Sequence, residues 1–205
     1  LLAIYLRLVV TVRLCPVQQW MAERAASALS HELGTEVSVG SISLGLFNRI
    51  IVDDLQIKDQ RGKEMLWFGH LSVRIELLPL LDGKIHITKA QVFSSHARLY
   101  QQTEKDPLNI QFMLDSLASK DTTSATPLDL RINSLIMRHI SVSYDCWNAP
   151  KTPGQFNPKH LWLKNITAHM TLKALKADSI NLNVKRLSLK EQSGLHLDRL
   201  SFRLK

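Results

Sequence analysis

The sequence predicts a mainly β chain with a few helices (α+β), in which an N-terminal helix is followed by repeated strands forming a long curled sheet with an apolar groove. Three observations predict it. The first is period-two alternation, clearest over 128–144, where Leu128, Leu130 and Ile132, then Leu135 and Met137, then Ile140, Val142 and Tyr144 alternate with residues such as Asp129, Arg131, Ser134, Ser141 and Ser143. The second is a one-residue slip between runs, at Asn133-Ser134 and again at Arg138-His139. Such a slip turns the apolar face outward unless a bulge or tight turn restores it. The third is recurrence. The same figure returns at Val37, Val39, then Ile42, Leu44; at Ile85, Ile87, then Ala90, Val92; at Leu161, Leu163, then Ile166, Ala168; at Ile180, Leu182, Val184, then Leu187, Leu189; and at Leu195, Leu197, then Leu200, Phe202, Leu204. It reads as an irregular strand repeat that builds one one-sided sheet.

In chain order, residues 1–14 are apolar apart from Tyr5, Arg7, Thr11 and Arg13. The stretch is shorter than the roughly 20 residues a bilayer requires. It reads as the distal part of a membrane anchor or as a membrane-surface helix. Arg7 is costly inside a bilayer, and Arg7 and Arg13 run against the positive-inside tendency if the rest of the chain lies outside the cytoplasm. The first residue is Leu1, and the last strand figure reaches Lys205, so the expectation is a piece of a longer protein. Pro16 suits the first turn of a helix, Val17, Trp20, Met21, Ala25, Ala28, Leu29 and Leu33 recur at helical spacing, and Gly34 ends it. Strands through Val37, Ile42, Val52 and Ile57 precede a polar turn at 59–63, and Phe68, Leu71, Val73, Ile75 and Leu77 form the next strand. Residues 78–83 form a short apolar turn before the strand at Ile85. A second helix is expected with Asp106 as N-cap and Pro107 at its first position, its apolar positions being Ile110, Phe112, Met113, Leu114 and Leu117.

This gives a partial membrane anchor or surface helix at 1–15, an α+β cap at 16–118, a polar linker at 119–127 and, from 128 to 205, the start of a repeated-strand groove. A hydrophobic content of 45% is enough for a core. The two cysteines, Cys15 and Cys146, form no pair motif. From 159 to 205 there are ten Lys/Arg against three Asp/Glu, so this segment carries +7 of the overall +8. That charge reads either as a solvated sheet face or as attraction to anionic lipid. Nucleic acid is not an expected partner: aromatics make up only 6%, and the basic residues alternate with aliphatics.

Enzymatic chemistry is not expected. The eight histidines show no metal-ligand spacing and read as solvated or capping residues. Asp53 and Asp54 are strand neighbours that should point to opposite faces. No phosphate loop, nucleophile elbow or Cys/His pair occurs. No cofactor and no metal are expected.

The order of pieces carries a resemblance. Pro16-Val17-Gln18-Gln19-Trp20, then Leu33-Gly34-Thr35-Glu36-Val37-Ser38-Val39-Gly40, then Val52-Asp53-Asp54-Leu55-Gln56-Ile57-Lys58-Asp59 resemble the N-terminal region of AsmA-like proteins. Leu78-Pro79-Leu80-Leu81-Asp82-Gly83-Lys84-Ile85-His86-Ile87, the helix over 108–117, and the loop with Asn148-Ala149-Pro150 and Gly154-Gln155-Phe156-Asn157-Pro158 are similar to the TamB branch of Bacteroidetes type. The resemblance implies a bridge anchored in the inner membrane by a single pass, with its bulk in the periplasm, that moves phospholipid towards the outer membrane. It also implies, as the alternative, a scaffold for outer-membrane protein assembly with an Omp85-type barrel partner bound beyond Lys205.

Physical chemistry gives the bridge reading its own basis. A two-chain lipid in water exposes about 30 methylenes at roughly 0.8 kcal/mol each. Aliphatic side chains in register along a sheet hide such chains without fixing them, because the contact is non-directional. The candidates for that surface are Leu128, Leu130, Ile132, Ile180, Leu182, Val184, Leu187, Leu189, Leu195, Leu197, Leu200, Phe202 and Leu204. The competing reading is a closed core in which two sheet faces, or a sheet and the two helices, bury these residues against each other. From Leu161 onward no covering helix is predicted.

Overall fold

The alternating runs form strands, and the strands join one sheet. The structure, a computed structural model, describes residues 15–45, 48–76, 86–119, 130–176 and 179–204. Its elements are α1 (Cys15–Leu33), β1 (Val37–Gly45), β2 (Arg49–Lys58), β3 (Glu64–Ile75), β4 (His86–Gln101), α2 (Gln111–Ser119), β5 (Leu130–Cys146), β6 (His160–Lys176), β7 (Ser179–Glu191) and β8 (His196–Leu204). The sheet has eight strands in sequence order. Neighbours are antiparallel except β4 and β5, which are parallel. A parallel pair requires a crossover of about a dozen residues or more, and residues 102–129 supply it with α2 inside. The chain is therefore mainly β with an N-terminal helix, and one sheet takes strands from before and after α2, which includes Ser119. The anchor expectation for 1–14, the segment 78–83, residues 120–127 and Leu128 lie outside the described residues.

Helix α1 lies against β1. Gly34 follows it with φ 62, the left-handed conformation that glycine adopts without strain at a helix end. The Ser30 hydroxyl then accepts the Val37 N–H at 2.9 Å, and the Ser30 carbonyl accepts the Thr35 N–H at 3.2 Å, tying the helix end to the start of β1. The buried positions of α1 correct the expected stripe. Ala22 (2% exposed) and Leu33 (7%) are its buried apolar residues, three turns apart, whereas Trp20 is 58% exposed with the Arg24 guanidinium 5.8 Å over its ring.

The second helix begins later than expected. Asp106 does not cap it. Its carboxylate accepts the Thr103 N–H (2.8 Å) and hydroxyl (2.7 Å), while the Asn109 side chain accepts the Tyr100 N–H and donates to the Arg98 carbonyl, each at 3.0 Å. These bonds hold residues 102–110 along the end of β4. The helix starts only at Gln111, and Leu114 on it is exposed.

The slips on β5 to β8 are irregularities in the sheet. Register shifts lie between Ile132 and Leu135 and between Met137 and Ile140 on β5, between Lys164 and Thr167 on β6, and between Val184 and Leu187 on β7. On the first four strands the same step is taken along one line. Gly40, Asp54, Gly69 and Ser94 face one another across β1 to β4, and His139 follows beside Ser94 on β5. Asp54 (φ 52), Ser94 (φ 50) and His139 (φ 55) are left-handed, as is Asn165 (φ 51) on β6. A left-handed residue uses up one position without reversing the face, so apolar residues three apart stay on the same side. Val52 and Leu55 both belong to one core cluster, and Phe68 and Leu71 both pack against a second.

Those two clusters differ in what covers them. The first joins Leu33 of α1, Val37, Leu55, Ile57, Met65 and Leu66, with Ile110, Phe112 and Met113 packed against it. It is a helix-covered core, and Met65 at its centre is fully buried. The second is Val92, Ile140 and Ile166, and every described residue packed round it comes from β3, β5, β6 or β7. The sheet side chains there bury one another.

Candidate functional site

The apolar face of β7 and β8 follows from strand pairing. Leu182 stands opposite Leu204, Val184 opposite Phe202, Leu187 opposite Leu200 and Leu189 opposite Leu197. The register shifts between these pairs keep every one on the same face, although the residues are unevenly spaced in sequence. The row continues into β6, where Met170 faces Val184, Leu172 faces Leu182 and Ala168 faces Leu187. It reaches β5 through Met137 opposite Ala168 and Ile132 opposite Leu172.

The structure thus brings Ile132, Leu182, Val184, Leu187, Leu189, Leu197, Leu200, Phe202 and Leu204 onto one face. For Leu130 and Ile180 the strand pairing alone is described, each facing Leu175 on β6. Leu195 stands apart from the ladder, in the turn before β8, where its carbonyl accepts the Glu191 N–H at 2.8 Å. Exposure along the row is graded. Val184 is only 2% exposed, but Leu200, Phe202 and Leu204 on β8 are 40%, 37% and 51% exposed. Sequence reasoning missed the middle of the surface: Met137, Ile140, Leu163, Ile166 and Ala168 continue it through β5 and β6. Their alternation was legible; what placed them with the candidates was the β5–β6 register.

No family model matches this chain, and no curated protein matches it.

The polar groups form separate sites. Among the described residues no group of three or more His, Cys, Asp or Glu is placed to hold a metal ion. Three histidines expected to be solvated or capping are paired with carboxylates instead: His70 with Asp53 at 2.6 Å, His96 with Glu64 at 2.5 Å and His160 with Asp145 at 2.9 Å. His96 bonded to Glu64, helped by Gln56 and Arg98, outweighs burial and holds that carboxyl below its ordinary value.

At the loop end of the sheet, Asp59 is 3% exposed and accepts the Tyr100 hydroxyl at 2.5 Å and the N–H groups of Arg61 (2.8 Å) and Lys63 (2.9 Å). Tyr100 stacks on Trp147 with ring centroids 4.6 Å apart, and the Arg61 and Lys63 cations lie over both rings. A cleft of about 740 Å³ opens beside them, lined by Asp59, Tyr100, Asp106, Leu108 and Phe112 among others, with no residue from β6–β8. The arrangement is a closed structural lock: its carboxylate is already saturated by hydrogen bonds. No described helix is long and apolar enough to cross a membrane.

Proposed function

We propose that this chain is a segment of an AsmA-like, TamB-type bridge that shields lipid acyl chains between the inner and outer membranes. One observation carries the reading: the apolar face runs unbroken from β5 to β8 with no described helix over it, and ends in three half-exposed large side chains on β8. Contiguous exposed apolar surface on a folded protein marks an interaction site. Leucine, valine and phenylalanine offer hydrocarbon contact without a directional bond, so a chain resting there is hidden and still slides. The role is non-enzymatic and requires no cofactor. In this reading residues 1–15 anchor the chain in the inner membrane, the sheet stands in the periplasm, and an outer-membrane barrel is a further partner.

Native mass spectrometry with lipid extraction on the full chain tests it. Bound phospholipid that exchanges with added lipid is the expected result. Leu200→Glu with Phe202→Glu places two carboxylates where acyl chains would lie, and should lower bound lipid at least about tenfold, because an unpaired charge against hydrocarbon costs several kcal/mol. Both positions are half-exposed on the edge strand, so the fold should survive, with unchanged far-ultraviolet circular dichroism. A folded protein with a clean apo mass would sink the conduit reading. If that apo protein captured unfolded outer-membrane barrel strands, the scaffold reading would replace it, with β8 as the edge that accepts an added strand.

A further inference from the structure

The polar face of the sheet changes character along its length. On β2 to β4 it carries paired carboxylates: Asp53 with His70, and Glu64 with both His96 and Arg98. On β6 to β8, Lys164, Lys185, Arg186, Lys190, Arg199 and Arg203 are exposed and make no ion pair among the described residues. Alternation puts three of them opposite the apolar row: Lys164 follows Leu163, Lys190 follows Leu189, and Arg203 lies between Phe202 and Leu204. Lys164 stands directly across from Lys190. Directly opposed like charges destabilise a sheet unless something external neutralises them. The described carboxylates of these strands do not. Glu191 is 6% exposed and is held by the Ser193 N–H and hydroxyl, and Asp198 makes no ion pair among the described residues. Beside the cations, Trp162 is 46% exposed with the Lys164 ammonium 3.6 Å over its ring.

We propose that the polar face of β6–β8 docks on the surface of an anionic phospholipid bilayer. The cations are spread over three strands spaced about 4.8 Å apart. They form a broad array instead of converging on one pocket, which suits a plane of headgroup phosphates. Trp162 at the margin, apolar in body and able to donate through its N–H, has the chemistry of an interfacial anchor. Aromatics do not alternate with the cations as stacking platforms for a single-stranded nucleic acid would. Acyl-chain shielding uses the other face of the sheet, so the two proposals stand or fall separately.

The test is sedimentation of the full chain with vesicles of neutral phosphatidylcholine and with vesicles containing about a quarter phosphatidylglycerol. The readout is the ratio of the two affinities, from which apolar insertion common to both vesicles drops out. The chain should prefer the anionic vesicles, and the preference should shrink as salt rises from about 0.05 M to about 0.3 M. Lys164→Gln, Lys190→Gln and Arg203→Gln together should lower the ratio about 100-fold, at about fivefold per cation. Lipid bound on the apolar face should be unchanged in that variant, which separates vesicle docking from acyl-chain binding. A ratio near one, or a ratio the triple variant leaves intact, overturns the proposal. So does tighter binding to heparin than to the anionic vesicles, which would assign the face to a soluble polyanion.

Discussion

Gly69→Ala is expected to destabilise the protein by about 2–3 kcal/mol, although the change adds a single methyl group. A Cβ at Gly69 would stand 2.6 Å from the Ser94 carbonyl oxygen and 2.9 Å from the Trp67 ring. The first of these is backbone, fixed by the pairing of β3 with β4, so relief requires the two strands to part along the line where the apolar face steps over. Gly62→Ala is the control. It sits in the turn between β2 and β3 with φ 74 and nothing within 4 Å of the added Cβ. It should cost only the left-handed penalty of about 1 kcal/mol. Urea unfolding of both variants compares steric closure with backbone strain. Equal losses would mean that Gly69 is not a point of close approach and that the step across β1–β4 tolerates a side chain.

That step shows what can be read from the sequence and what cannot. The slip at Arg138-His139 is visible as Met137 followed three residues later by Ile140, and the structure puts His139 there at φ 55. Asn133-Ser134, Lys164-Asn165 and Lys185-Arg186 were legible in the same way, and all fall at register shifts. What was not legible is that Gly40, Asp54, Gly69, Ser94 and His139 stand in one line. Their alignment depends on strand register and on the parallel pairing of β4 with β5, which are long-range properties that no local pattern encodes. The helix errors have a local cause. Trp20 fits an apolar stripe by residue type, yet it is Ala22 that is buried and Trp20 that is exposed, because residue type alone does not say which face of a helix its neighbours cover. Asp106-Pro107 looks like a helix start, and Thr103 claimed the carboxylate first. The candidate surface was largely legible because period-two alternation fixes faces. Its extension through Ile140, Ile166 and Ala168 needed the β5–β6 ladder.

Asp59→Ala should cost about 3 kcal/mol, because it leaves the Tyr100 hydroxyl and the N–H groups of Arg61 and Lys63 without their buried acceptor. The pair also sets a pH window. Burial pushes the Asp59 carboxyl up, but hydrogen bonds from Tyr100, Lys63 and Arg61 more than offset it and hold the group below its ordinary 3.8. Its folded value is depressed, so its contribution is complete above 3.8 and is lost as pH falls through the lower folded value. Tyr100 behaves oppositely. Burial, the bond to Asp59 and the charge of Asp59 push its hydroxyl from 10.0 to about 12. That contribution is complete below 10.0 and is lost as pH rises through about 12. Tyr100→Phe keeps the ring that stacks on Trp147 and removes only the hydroxyl. It should lower stability by about 1–3 kcal/mol near neutral pH. Its difference from the parent protein should then shrink between pH 10.0 and about 12, as the parent loses the same bond. The measurement is the urea midpoint of both proteins across that range. A difference that stays constant would mean that Tyr100 does not donate to Asp59, and that the loop end of the sheet is held by ring stacking and the backbone turn alone.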